Sequence, residues 1–535
     1  MLRNYLKIAF RNLWKNKIYS VINIFGLGLG MATSVLLFLW VQNELSYDSF
    51  HEKSDNIYRL NSHLKMDESE TLHWANTPFE LAESLKAIAP EIQEVTRLYV
   101  PYGAYTLKIR NENSDKNKIG FVDANWFDVF DYQFVVGNSK DFSNDKFNVA
   151  ITESKAKLFF GNIDPIGKII QHDSLNFVVQ AIMKDLPSNS SFQFEILAQN
   201  AARLVNPKDF ADDSNWDNFN YQTYILCNSG INIQSVSNKF TKLLSKLRED
   251  KENKTTLELQ PLGALHFDNT IQAEGLTPTA DTSVLYIFSI IGVFILLIAC
   301  INYVNLTTAK ASQRTKEVSV KKMIGASNKS LFYQFFIESI ITSFISASVA
   351  IILVFYGISI LENLSDNHFS FRENQSIWYI LVSITLVSVA LTGIYPSILI
   401  ASIKPINLLK GSNIGGTRND VFRKALVVFQ FTFTIVLLTG NLLIYRQLKF
   451  IQNKDLGYSK EHIFTVVIPR NVKNGTVIQQ SLIDKLKKES SIQDVTMSNE
   501  KIVDTQSSNG GTINWPGKDP KLSPVLSQMA ITDNF

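Results

Sequence analysis

The sequence predicts an α-helical multi-span membrane protein with a large mixed α/β extracytoplasmic domain. Three observations carry this expectation. Five stretches, 18–41, 284–306, 331–358, 377–402 and 425–445, hold almost no charge, and about 20 apolar residues suffice to cross roughly 30 Å of hydrocarbon. The segments between them are ordinary polar sequence, the longest being 43–283. Charge is also unevenly placed. The segments 1–20, 309–330 and 403–424 together hold 16 basic and 2 acidic residues, although the whole chain of 535 residues carries only +3. A fully soluble enzyme and a chain buried wholly in lipid are both excluded. The two cysteines, Cys227 and Cys300, are too few for a disulfide scaffold.

The elements follow in order. In segment 1–17, Arg3, Lys7, Arg11 and Lys15 recur every four residues beside Leu2, Leu6, Phe10, Leu13 and Trp14. This suits an amphipathic helix lying on the inner leaflet, and equally a plain basic flank of the first span. The span at 18–41 is too long for a signal core, and Val41-Gln42-Asn43 offers no small-residue cleavage site, so it reads as an uncleaved anchor. Within it Gly26 and Gly30 form a GxxxG pair, with Gly28 and Ala32 as a second small pair, a spacing that lets helices approach closely or arises by chance.

Segment 43–283 alternates helix and strand patterns. Thr77-Pro78-Phe79-Glu80 reads as a helix start running to about Ile88. Residues 94–109 are strand-like, and Thr152 caps a helix through Phe160 that Gly161 closes. Val178–Met183 reads as a strand, 233–249 as an amphipathic helix and Thr256–Leu259 as a strand, with room for two subdomains. Gly161 to Lys168 imitates a phosphate loop, but five residues separate its glycines and Ile169 follows the lysine, so nucleotide binding is rejected. The seven histidines form no metal motif. His51, beside Asp48 and Glu52, is expected in a solvated turn after the first span.

Counting basic residues in the short flanks places the amino terminus, the 307–330 loop and the 403–424 linker in the cytoplasm. Segments 43–283 and 446–535 then lie outside. Only small loops face inward, which leaves no domain for a kinase, a nucleotidase or a reader of nucleic acid. The inward basic residues face lipid headgroups or a protein partner. Glu338 is the acid inside a span, an expensive position that calls for a partner or a role. The expectation is a hydrogen bond to Asn302 or Asn305 on the preceding span, ahead of a proton relay.

In the 307–330 loop, Glu317 and Lys321 stand at i,i+4 in the favourable order. Val320, Met323 and Ile324 make a small apolar face, Gly325 ends the helix and Ser327 caps the next. A short basic helix with an apolar edge suits docking into a partner's groove, and also suits a plain positive-inside turn.

Several motifs carry a resemblance. The run CINYVNLTTAKASQRTKEVSVKKMIGASNKSLFYQFFIES, from Cys300 to Ser339, resembles the signature of FtsX-like permeases of MacB-like ABC transporters. LFFGNIDPIGKII and FVVQAIMKDLPSNSSF resemble the MacB-like periplasmic core. GIYPS at 393–397 resembles GxYPA, with Ser397 in place of the usual alanine, and FRKALVVFQF at 422–431 resembles the start of a second unit. The resemblance implies an FtsX-like permease domain over 284–410 and a coupling helix carrying Arg314, Lys316, Glu317, Val320, Lys321, Met323, Ile324 and Gly325. It further implies a bacterial inner-membrane location, a separate ATPase subunit that binds ATP and Mg²⁺, and pairing of two permease units, as a homodimer or with a second permease. A periplasmic adaptor or outer-membrane partner is also implied, and no cofactor in this chain. Force transmission to the periplasmic domain would then export a peptide or drug, or extract a lipoprotein. The alternative is a non-transporting regulator of cell-wall hydrolases or a tether. A secondary transporter would need polar or broken spans meeting at mid-membrane, and beyond Glu338 and Pro396 the spans offer little. The second unit begins at Phe422 and stops in mid-domain, Asp533-Asn534-Phe535 falling roughly where Asp123 to Phe127 fall in the first. That predicts a piece of a protein of roughly 800 residues, from repetition of unit one.

Overall fold

The computed structural model describes residues 2–65, 71–101, 105–109, 112–172, 175–248, 255–271, 276, 279–365, 369, 375–402, 417–454, 462–466, 475–499, 508–510, 515–517, 525–527 and 529–532. In chain order the elements begin with α1 (Leu2–Lys15) and α2 (Lys17–Leu45). Then come β1 (Ile57–Lys65), β2 (Thr71–Trp74), β3 (Thr77–Pro78), α3 (Leu81–Ile88), β4 (Ile92–Tyr99), β5 (Tyr105–Ile109), β6 (Glu112–Asn117), β7 (Ile119–Val122) and α4 (Trp126–Val129). They continue with β8 (Phe134–Val136), α5 (Ser139–Ser143), β9 (Asn148–Thr152), α6 (Glu153–Phe160), β10 (Ile169–His172), β11 (Leu175–Met183) and β12 (Ile196–Gln199). Next are α7 (Asn200–Arg203), α8 (Pro207–Asp213), β13 (Phe219–Cys227), α9 (Ile233–Leu247) and β14 (Thr255–Pro261). The rest are α10 (Thr282–Ala309), α11 (Ala311–Met323), α12 (Asn328–Ser365), α13 (Ser376–Ala401), α14 (Thr417–Asn453), α15 (Gly475–Leu486), β15 (Ser508–Gly510) and β16 (Val525–Ser527).

The chain divides into two units, Met1–Leu45 with Thr282–Phe464, and Ser46–Asp281 with Thr465–Phe535. In the first, α2, α10, α12, α13 and α14 are long and apolar enough to cross a membrane. The pivot is α2, whose Leu27, Met31, Val35 and Leu39 recur every fourth residue and are all buried, against Leu296 and Cys300 of α10, Ala350 and Val354 of α12 and Leu381 and Ile384 of α13. A helical period places those four on one stripe. Polar ties cross the bundle as well: Ser34 Oγ donates to the Gly292 carbonyl at 2.9 Å. α14 meets the others through Phe433 stacked on Phe294, ring centres 3.8 Å apart, and Phe429 beside it.

Two spans run well past their expected bounds. α12 runs to Ser365 rather than 358, because Leu361, Glu362 and Asn363 continue the helix beyond the apolar core. α14 starts at Thr417, inside the stretch read as a linker from 403 to 424, and ends at Asn453 rather than 445. A hydropathy boundary marks where lipid ends, not where backbone hydrogen bonding ends.

In the second unit β1 to β14 form a sheet of fourteen strands with the central order β14-β1-β13-β4-β7-β12-β9-β11-β10-β5-β6. β9 pairs with β11 and β7 with β12 in parallel, and the other pairs are antiparallel. β9 and β12 are buried along their whole length, as strands covered on both faces must be. The sheet supports three apolar clusters. α9 shows how sequence dictates packing: Val236, Phe240 and Leu244, four apart, bury against Leu257 and Leu259 of β14. Thr152 Oγ1 accepts from Lys155 N at the head of α6, and Gly161 closes it at φ 63°.

Thr77 is a correction. It lies in β3, and its Oγ1 lies 2.7 Å from Thr223 Oγ1 and donates to the Tyr221 carbonyl at 3.2 Å. The helix starts at Leu81 after Glu80, with no side-chain cap. A tertiary hydrogen bond took the hydroxyl that local pattern assigned to a cap.

Candidate functional site

α11 is where the chain offers a binding edge. It follows α10 through Lys310, and its described side chains face two ways. Inward, Val318 is fully buried with Leu331 and Phe335 of α12 and Ile400 and Ala401 of α13. Outward, Val320, Met323 and Ile324 are 48, 68 and 81% exposed. Apolar side chains gathered on one exposed edge mark interaction surfaces.

The helix is held firmly. Lys321 Nζ donates to Glu317 Oε1 at 2.7 Å and to Gln334 Oε1 of α12 at 3.0 Å. Lys322 Nζ donates to the Ala401 carbonyl at 2.7 Å, a cation on the last turn of α13. At the end of α11 the Gly325 N–H reaches the Lys322 carbonyl (3.0 Å) and the Ala326 N–H the Lys321 carbonyl (2.9 Å), with Gly325 at φ 98°. That pair of bonds is the Schellman arrangement, in which glycine takes the left-handed position. Ser327 Oγ then accepts from Ser330 N at 3.2 Å, starting α12. Gly325 and Ser327 therefore act as their sequence suggests. Arg314 and Lys316 lie in α11, but their side chains fall outside the described residues.

Glu338 lies in α12, about 15 Å from its start at 1.5 Å per residue, and is 9% exposed. Its carboxylate Oε2 accepts from Asn12 Nδ2 of α1 at 3.5 Å, in place of the expected Asn302 or Asn305. Asn302 is half-buried and Asn305 keeps a buried Oδ1 with no hydrogen-bond partner. Tyr5 Oη, 2.9 Å from Ser330 Oγ, makes a second tie between α1 and α12.

Gly26 and Gly30 do not share a packed face. A Cβ on Gly30 would lie 2.4 Å from Ala299 Cβ of α10, while Gly26 has nothing within 4 Å. The second close approach belongs to Gly28, where a Cβ would lie 3.0 Å from the Ser346 carbonyl oxygen of α12.

His51 and Asp48 also need correction, since both are 1% exposed rather than solvated. His51 Nδ1 accepts from Asp131 N (3.0 Å), and Asp48, at φ 56°, accepts from Ser191 N (2.8 Å). Burial pushes the Asp48 carboxyl up to about 6 and the His51 imidazole down to about 4. Their residue types gave no sign of this, because the partners are 80 and 143 residues away. Among the described residues no group of three or more His, Cys, Asp or Glu side chains is placed to hold a metal ion.

Comparison with known proteins agrees with this layout. The family model for MacB-like periplasmic core domains matches residues 20–243, and that for FtsX-like permease C-terminal domains matches 289–405. The macrolide export ATP-binding/permease protein MacB of Haemophilus ducreyi is 23% identical over 419 residues, 75% of this chain and 55% of that protein. The chain thus spans about half the length of that relative. The uncharacterized ABC transporter permease YvrN of Bacillus subtilis is 20% identical over 426 residues, 76% of this chain and 99% of its own. The crystal structure of the periplasmic region of MacB from Actinobacillus actinomycetemcomitans aligns with a TM-score of 0.29 and 16% identity, covering 39% of this chain and 90% of that one.

Proposed function

The chain belongs to the MacB-like, FtsX-like family of ABC transporter permeases, and from that premise we propose that it couples an ATPase on another chain to movement of its extracytoplasmic domain. The observation that carries this reading is the two-faced α11. Its outer edge of Val320, Met323 and Ile324 is free to enter a groove, while Val318, Lys321 and Lys322 fasten it to α12 and α13. A push on the outer edge therefore passes into two spans at once, which move as packed rods rather than bending.

On this reading α1 and α11 lie in the cytoplasm and residues 46–281 in the periplasm, and the clustering of basic residues in the short segments supports it. ATP and Mg²⁺ bind the partner, and this chain performs no catalysis itself. Two permease units face one another, and an adaptor on the periplasmic side receives the motion. The work done is export, with a peptide, a drug or a lipoprotein as cargo.

The test is co-purification from native membranes of the full chain and of its Glu317→Lys and Val320→Asp variants. An ATPase should accompany the parent chain and be lost from both variants at unchanged permease yield. Equal recovery from all three would remove α11 from the coupling path. Thiol labelling in intact cells that reached 310–329 and spared 50–280 would reverse the topology.

A further inference from the structure

Where β1 lies between β2 and β14, two imidazoles meet edge to edge. His63 of β1 and His73 of β2 are register partners in the antiparallel ladder. Glu258 of β14 stands opposite Asn61, two residues from His63 along β1. Side chains two apart on a strand share a face, so all three reach one surface of the sheet. The other surface sends Leu257 and Leu259 into the apolar cluster under α9.

Ring chemistry fixes which nitrogens are available. Glu258 Oε2 lies 2.7 Å from His63 Nε2. An ionised carboxylate only accepts, so a neutral His63 carries its proton on Nε2 and a lone pair on Nδ1. That lone pair faces His73 Nδ1 at 2.5 Å, with the ring planes 71° apart. Without a further partner, His73 Nδ1–H donates to it. A tautomer shift that moves this proton to His73 Nε2 leaves two lone pairs converging on one point, and the pair gains or loses no proton. A histidine that gives one N–H to a carboxylate while its other nitrogen points at a shared centre is arranged as a metal ligand with its supporting acid.

We propose that His63 Nδ1 and His73 Nδ1 bind one late first-row divalent ion, Cu²⁺ ahead of Ni²⁺ or Zn²⁺, with Glu258 as the positioning residue behind His63. Imidazole suits these ions, and their usual affinity order puts copper first. Metal–imidazole bonds of about 2.0–2.1 Å set two ligating nitrogens about 3 Å apart, so the rings must part by roughly half an ångström. His73 is exposed and has room to do so. Water completes the coordination, which makes this a two-ligand site, unlike the groups of three that the described residues lack. Both ligands stand on paired strands, and rigid elements hold a site more precisely than loops. The inference concerns this sheet alone and stands whatever α11 docks against.

Titration of the full chain in detergent, stripped with chelator, with Cu²⁺ in glycine buffer tests this, read by electron paramagnetic resonance. The parent chain should hold a single Cu²⁺ whose spectrum carries coupling to two imidazole nitrogens. His73→Gln, an exposed change that keeps the ladder, should weaken binding at least tenfold and reduce the coupling to one nitrogen. Glu258→Gln should keep both nitrogens and weaken binding about 10–100-fold. His462→Asn, which removes an exposed imidazole of the other unit, should change nothing, and millimolar Mg²⁺ should not compete. Binding unchanged in His73→Gln, or lost equally in His462→Asn, would leave the two rings a plain hydrogen-bonded pair and overturn the assignment. Unchanged affinity in Glu258→Gln would strip that residue of its positioning role.

Discussion

Replacing Gly30 by alanine should destabilise the bundle, while the same change at Gly26 should not. At Gly30 the new methyl meets Ala299 Cβ at 2.4 Å, about 1 Å inside ordinary contact. Both atoms are fixed to helix backbones, so α2 and α10 must separate. Overpacking of this kind costs about 1–3 kcal/mol, against a gain of about 1 kcal/mol from removing a mid-helix glycine. At Gly26 nothing stands within 4 Å, and only the gain remains. The two variants should therefore differ by about 2 kcal/mol, or about 2 °C of melting temperature for a chain of this size at about 2.1 cal/mol/K per residue. Thermal unfolding of both proteins in one detergent reads the difference directly. Melting points that coincide, or a more stable Gly30→Ala protein, would show that α2 and α10 are not packed in this way.

Two further perturbations follow. Between about pH 4 and 6 the folded chain keeps a proton on Asp48 that the unfolded chain releases, so that group favours folding in acid; His51 refuses in the folded state a proton that the unfolded chain takes below about 6.5, so it opposes folding in acid. Each shift is worth on the order of 3 kcal/mol at 1.36 kcal/mol per pKa unit, and their slopes nearly cancel. Asp48→Asn should leave His51 unopposed and make melting temperature fall steeply from pH 6.5 to 4.5; an identical pH profile in parent and variant would disprove the pairing. Gly325→Ala, at φ 98° with open space around it, should cost about 1–2 kcal/mol from the left-handed backbone alone, and Gly325→Asn clearly less, as read by the same melts; equal losses would point to side-chain size instead.

The spans were legible because lipid imposes a length and a composition that local sequence must meet. Helix ends were legible where one residue decides them: Gly325, Ser327, Thr152 and Gly161 all act as their types suggest. What stayed hidden depends on distant partners. Thr77 answers to Tyr221 and Thr223, His51 to Asp131, and Glu338 to Asn12 across 326 residues. The continuous sheet was equally hidden, since no periodicity reports which strand lies beside which. One local signal also marks the repeat. Ile92-Gln93-Glu94-Val95-Thr96 returns as Ile492-Gln493-Asp494-Val495-Thr496, and α3 and α15 each precede their copy. This is a firmer mark of internal repetition than the match of Asp123 to Phe127 with 533–535, which lie outside the described residues.

The 38 residues of α12 amount to a single rod of about 57 Å at 1.5 Å per residue, nearly twice the roughly 30 Å of a bilayer's oily interior. Geometry then multiplies small inputs. Rotating such a rod by about 5° around its foot carries its tip about 5 Å sideways, a full side-chain width. A sub-ångström nudge near Leu331 would need no further gearing to be felt at Ser365.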